Sequence, residues 1–262
     1  MPSANWLKRI KRYLPTPILK VARGAKLKSV GVFYNLTGHV PQWLKYADPQ
    51  AYWEGRSLLA EDRATGAHSG KLTTAGRAFF LDELAREPFQ SILDAGCGYA
   101  REMKPVCEKF RQAHVVGVDI SFNMLRDARE YFPEATGWLV QASLTALPFP
   151  NKVFDAAFST AVLQHIPVND AKQAMREMAR VTNSRILHRE IYRKHIAMAG
   201  RKDLLERFDL AGHIFPNDYE TAYKQMGHAI FRSEVLPPYQ AQQRGPTEEM
   251  WYSFVVVRLK KP

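Results

Sequence analysis

From residue 74 onward, apolar positions alternate between short continuous runs and stretches in which they recur every three or four residues. The first kind suits buried strands and the second amphipathic helices. A helix is predicted over 74–86, with Ala78, Phe79, Leu81 and Leu84 on its inner side, leading into a strand that ends at Asp94. Beyond it the pattern predicts a helix over 102–110, a strand over 114–120, a helix over 121–131 and strands near 138–141 and 154–160. A helix over 169–181 and a strand near 185–192 complete the alternation, and two β-rich runs, 227–237 and 250–259, close it. Strands alternating with helices in this way imply a mostly parallel sheet with helices on both faces. Residues 47–70 read as polar loop with embedded aromatics, and Asn217 and Asp218 are cap-type residues ahead of a helical run.

Within that pattern, SILDAGCGYAR (residues 91–101) carries the most chemistry. An apolar strand runs into a turn through Gly96 and Gly98, and the helix behind it points free N–H groups at whatever the turn receives. The next strand ends in Asp119, near the interval at which a carboxylate meets ribose hydroxyls. Asp94, two residues before the first glycine, would repel a pyrophosphate but not a ligand bearing an amino group and a sulfonium. These residues ask for a cationic nucleoside.

Four blocks in order resemble the class I S-adenosylmethionine-dependent methyltransferases: ILDAGCGYAR, VGVDISFNML, LPFPNKVFDAAFSTAVLQHIP and DAKQAMREMARV. The chain is similar to the small-molecule branch that includes ubiquinone- and menaquinone-type enzymes. The resemblance implies a Rossmann-like, mostly parallel seven-stranded sheet with helices on both faces and a terminal antiparallel hairpin, and S-adenosyl-L-methionine as cofactor. It also implies that Asp94, Gly96, Gly98, Asp119 and Thr160 bind the cofactor, with Ile120, Met124 and Leu144 enclosing the adenine. Ser143 stands where many members place an acid for the adenine amino group. Ala100 replaces the third glycine of the turn, a change tolerated by a backbone outside the left-handed region, and Thr182, Asn183 and Ser184 replace a glycine-rich turn.

Composition narrows the class. At 262 residues and 46% hydrophobic, the chain can bury one substantial core. Its two cysteines offer neither a disulfide framework nor a metal cluster, and no apolar run approaches the ~18 residues of a bilayer span. A soluble cytoplasmic enzyme is expected, with residues 47–262 as the methyltransferase domain and a lid or acceptor insertion at about 193–226. The net charge of +11 is uneven, because nine Lys and Arg residues precede the first acid, Asp48. In this extension, residues 1–46, Trp6, Ile10, Tyr13 and Leu14 share one helical face and Lys8, Arg9, Lys11 and Arg12 the other. Residues 1–28 therefore read as a peripheral anchor on an anionic membrane, as a helix packed on its own domain, or as a clamp for RNA. No nucleic-acid module accompanies the charge, which makes nucleic acid the weakest of the three.

The acceptor side rests on fewer residues. His165, directly after the fourth strand, is the candidate general base; its competing role is structural, holding the loop or the cofactor. A base of this kind points to methylation at oxygen, on a small molecule or on a glycan or lipid-linked intermediate. His188 and Glu190 at the end of the fifth strand, Tyr52, Trp53 and Arg56 before the core, and Tyr219 in the insertion are candidate acceptor contacts, with packing as the alternative for the aromatics. An RNA methyltransferase and a binding protein that keeps the fold without the reaction stay open.

Overall fold

The computed structural model describes residues 47–58, 74–133, 138–198, 200, 215, 217–235 and 253–260. The basic extension lies outside the described residues, as does most of 199–216 within the insertion. A seven-stranded sheet forms the middle layer: β1 (Ser91–Ala95), β2 (His114–Asp119), β3 (Leu139–Gln141), β4 (Phe154–Thr160), β5 (Thr182–Glu190), β6 (Ala229–Val235) and β7 (Ser253–Arg258). Its order is β3-β2-β1-β4-β5-β7-β6. The first five strands are parallel, whereas β7 runs antiparallel to both β5 and β6. The expected sheet and terminal hairpin are present, with β7 inserted between β5 and the edge strand β6.

Seven helices are used below: α1 (Pro49–Arg56), α2 (Thr74–Ala85), α3 (Met103–Lys109), α4 (Phe122–Tyr131), α5 (Val168–Val181), α6 (Arg193–Met198) and α7 (Tyr219–Gln225). Alternate strand residues feed two cores, as the two-residue strand period requires. Leu93, Val116, Ala157, Ile186 and Val257 meet α5 and α7 on one face. Ile92, Val115, Phe158, Leu187 and Val256 meet α2, α3 and α4 on the other. Because the sheet is covered on both sides, its central strands are apolar at nearly every position, which is why they read as continuous runs.

Three expectations are corrected. Residues 49–56 are helix rather than loop: Asp48 caps α1 by accepting from Ala51 N at 3.1 Å, and Pro49 occupies the first helical turn. β5 starts at Thr182 with no turn after α5, three residues before the expected start; Thr182 pairs with Phe154 across a register shift in the ladder. The Lys152 ammonium donates to Ala179 O and Thr182 O, joining the helix end to the strand start without a glycine turn. Finally, Ala100 has φ +60°, so the residue in the third-glycine position does adopt the left-handed backbone, at a cost of roughly 1 kcal/mol for a residue carrying a Cβ. The cap-type reading of Asp218 holds, its side chain accepting from Thr221 N at 3.1 Å at the start of α7.

Among the described residues, no helix is long and apolar enough to cross a membrane.

Candidate active site

The site lies at the carboxyl ends of β1, β2, β4 and β5. Gly96 (φ +83°) donates its N–H to Val118 O at 2.7 Å, and Cys97 N donates to the same oxygen at 2.9 Å, which folds the turn back onto β2. A Cβ at Gly96 would overlap the Val162 side chain, so the loop after β4 can close against the turn only because this residue is glycine. Gly98 (φ +50°) faces open space: among the described residues other than its chain neighbours, no atom lies within 4 Å of where a Cβ would stand. That opening is where a ligand can approach the backbone.

Strand alternation sends Asp94, Asp119 and Thr160 to the face covered by α2 and α3. Asp94 is buried and its Oδ2 has no hydrogen-bond partner among the described residues. Burial holds its carboxyl well above the usual range, the charges of Glu102 and Asp119 add to this, and Arg189 opposes them. Thr160 Oγ1, on the neighbouring strand, is likewise buried and unpartnered. Native interiors seldom leave such atoms unmet, so the pair fits a ligand that brings donors. An amino or sulfonium cation suits Asp94 in particular, since it would relieve the buried negative charge.

Asp119 is oriented by two backbone donors, Gly98 N to Oδ2 at 2.9 Å and Ser121 N to Oδ1 at 2.9 Å. Each oxygen keeps a lone pair for a hydroxyl. Burial raises its carboxyl to about 6, backbone donors restrain the rise, and the Glu54 charge adds to it. Ile120 is half-buried beside it and Met124 is nearly covered. Ser143 Oγ accepts from Thr145 N at 3.2 Å and shares a 2.8 Å hydrogen bond with Thr145 Oγ1, so its hydroxyl shapes a local turn. Leu144 is buried in the cluster that includes Val140 and Leu147, and Ile120 is the more exposed of the two apolar candidates.

The loop after β4 forms a short 3-10 turn, Leu163–His165, anchored from below by Glu190. This carboxylate, 1% exposed, accepts from Ser159 Oγ at 2.7 Å, Val162 N at 2.9 Å and Gln164 N at 3.3 Å. Burial outweighs these donors and raises its carboxyl to about 7. Glu190, an expected acceptor contact, is placed beneath the loop after β4 and holds it. His188 is placed on the same face of the sheet. Its Nε2 meets Tyr223 OH at 2.8 Å, its Nδ1 meets Ser159 Oγ at 2.9 Å, and its ring stacks on Tyr219 and Tyr223. Burial pushes the imidazole down to about 3, so it is neutral. Because Ser159 gives its proton to Glu190, His188 must donate from Nδ1 and accept from Tyr223 at Nε2, a one-way chain. Tyr219, another expected acceptor contact, is fully buried with its hydroxyl on Ile191 O and its ring on His188. Strand alternation placed both His188 and Glu190 toward α7, a face that the sequence leaves unidentified.

His165 itself is half-buried at the mouth, and the Trp53 ring meets it edge-on at 5.4 Å. Tyr52 backs Trp53 at 5.2 Å, and Arg56, three residues on, shares the Trp53 side of α1. Residues within the insertion reinforce the loop: Phe215 N donates to Gln164 O at 2.7 Å and Asn217 Nδ2 to Leu163 O at 2.8 Å.

Three contributors escaped the sequence reading. Glu54 reaches from α1 to the start of α4, and Gln164 bonds both the β5 end and His165. Glu102, just past the glycine turn, binds Arg189 at 2.8 Å and Arg77 at 3.4 Å; burial opposes its ionisation, but the two guanidinium groups outweigh it and hold the carboxyl below its usual range.

Residues 92–185 match the family model described as methyltransferase domain. The trans-aconitate 2-methyltransferase of Azoarcus sp. is 40% identical over 89 residues, which are 33% of this chain and 34% of that protein. The demethylmenaquinone methyltransferase of Listeria welshimeri is 32% identical over 124 residues, 46% of this chain and 52% of that protein. The chain thus spans a third to a half of the length of these curated relatives. Among solved structures, magnesium protoporphyrin IX methyltransferase from Synechocystis PCC 6803 with bound SAM superposes with a TM-score of 0.51 at 17% identity, over 90% of this chain and 97% of that one. At that identity the likeness is one of fold.

Proposed function

We propose that this chain is a class I S-adenosylmethionine-dependent methyltransferase, as its methyltransferase-domain match and its relatives support, and that it binds S-adenosylmethionine at the β1 turn and methylates a small-molecule acceptor held between Trp53 and the loop after β4. The observation that carries this reading is the unpartnered, buried Asp94 Oδ2 beside a glycine turn that opens at Gly98.

When bound, the cofactor supplies an electrophilic methyl carbon on a sulfonium. Asp119 accepts from the ribose hydroxyls, Asp94 and Thr160 meet the amino-acid end, and Ile120 with Met124 flanks the base. Gly98 lets the backbone approach without a side chain between. Trp53 and His165 wall the acceptor side, where exclusion of water and alignment of the nucleophile supply much of the acceleration. His165 takes the proton from an acceptor hydroxyl as the oxygen attacks, which favours O-methylation. The acceptor class that suits this wall is a small organic molecule, free or as the headgroup of a glycan- or lipid-linked intermediate.

Calorimetry with S-adenosylmethionine and S-adenosylhomocysteine tests the cofactor. Asp119→Ala removes charge-assisted bonds to two hydroxyls and is expected to weaken binding by about 1.5–3 kcal/mol, on the order of 10- to 150-fold. Wild-type protein that binds neither ligand, or a variant that binds as tightly as wild type, would reject the assignment. An acceptor panel read by formation of S-adenosylhomocysteine then separates small-molecule, lipid-linked and RNA acceptors.

A further inference from the structure

Glu54 is a carboxylate on the eight-residue helix α1, and only 2% of it is exposed. It accepts from Ser121 Oγ at 2.9 Å, Phe122 N at 2.7 Å and Asn123 N at 2.9 Å. Those backbone groups are among the first N–H groups of α4, which have no partner within their own helix. The carboxylate thus supplies from another helix what a local side chain ordinarily provides, and its charge complements the positive end of the α4 dipole.

Ser121 is the hinge of this arrangement. Its hydroxyl donates to Glu54 and accepts from Met124 N, while its backbone N–H orients the Asp119 carboxylate. One residue therefore links the α1 carboxylate to the acid assigned to the ribose. One position before Glu54, Trp53 lies against His165. The same short helix touches both halves of the site.

We infer that Glu54 is a positioning residue that latches α1 across the site, fixing Ser121 and Asp119 for the ribose and Trp53 for the acceptor, so that α1 docking and cofactor binding strengthen each other. The coupling rests on the cofactor assignment above. The latch itself rests only on the contacts of Glu54. Coupling of this kind is reciprocal: a ligand that binds more tightly with α1 docked must also hold α1 down by the same factor.

The full-length chain and its Glu54→Ala and Glu54→Gln variants are compared by amide exchange and by calorimetry with S-adenosylhomocysteine. Without ligand, Glu54→Ala is expected to speed exchange at Phe122 and Asn123. Glu54→Gln, which keeps one carbonyl acceptor and the side-chain shape but loses the charge, should fall between. Affinity for S-adenosylhomocysteine is expected to drop about tenfold in Glu54→Ala and less in Glu54→Gln. In the wild type the ligand should slow exchange across 49–56, and this protection should shrink in the variants. Unchanged exchange at Phe122 and Asn123 in both variants would overturn the latch. Wild-type affinity in both variants, or no protection of 49–56 in wild-type protein that binds the ligand, would overturn the coupling. A wild-type chain that fails to bind S-adenosylhomocysteine would reject the cofactor assignment and the coupling together, while the exchange at Phe122 and Asn123 would still report on the latch separately.

Discussion

His165→Ala and His165→Gln are expected to lower methyl-transfer turnover by about 10²- to 10⁴-fold while leaving cofactor affinity nearly unchanged, the effect of losing a general base. The tautomer needed for that role is set by Gln164. Ile191 N donates to Gln164 Oε1 at 3.0 Å, so the amide nitrogen of the same side chain is the atom that faces His165 Nε2, at 3.4 Å. A donor at that place makes Nε2 the unprotonated nitrogen, and an acceptor hydroxyl must displace the Gln164 amide from its one lone pair before giving up its proton there. The loop holding both residues is fixed by Glu190 and by Phe215, so the imidazole is aimed before an acceptor arrives. Turnover with an identified acceptor and binding of S-adenosylhomocysteine are measured side by side. Near wild-type turnover in both variants removes His165 from the chemistry, and loss of cofactor binding in both moves it to the cofactor.

The second large effect concerns stability. Glu190→Ala is expected to cost about 3 kcal/mol in urea unfolding at pH 6, because it leaves Ser159 Oγ, Val162 N and Gln164 N buried without their acceptor, at roughly 1–3 kcal/mol for each unmet group, offset in part by removal of a buried carboxyl. A pH dependence accompanies it. Burial raises the folded-state value to about 7 from an ordinary 4.5, so the folded protein binds this proton more tightly than the unfolded chain. Stability from this group is then fully present below about pH 4.5 and is lost as pH rises through about 7. Glu190→Gln cannot titrate, and its stability should vary less than that of wild type across this window. Equal pH slopes for the two proteins, or a Glu190→Ala variant that unfolds at the wild-type urea midpoint, would show that the loop does not depend on this carboxylate.

What the sequence disclosed followed from periodicity. The strand ends at Asp119 and Thr160 were legible because polar residues interrupt the apolar runs there, and Val168–Val181 because its apolar residues recur at helical spacing. The glycine turn was legible because glycine is the residue that left-handed backbone favours. The same logic failed at Ala100, where an alanine takes that conformation and nothing in its side chain signals it. α1 was hidden because Glu54 interrupts its apolar side, and a carboxylate looks solvent-facing until its partners, 67 to 69 residues away, are known. The placing of His188 and Glu190 was not legible for a related reason. Alternation along β5 separates two faces of a strand but does not say which is open, and here α7 covers the one that these residues share.

The place of β7 in the sheet has a consequence for how the molecule is made. A ribosome delivers β1 through β5 in an order that lets each parallel ladder form from segments already released. β6 follows, but its partner in the sheet is β7, which also completes the free edge of β5. Until residues 253–258 emerge, β5 presents an unpaired edge and β6 has no ladder to join. Nascent chains halted before that point carry an open strand edge of the kind that invites pairing with another chain. The last strand to appear therefore closes two ladders at once.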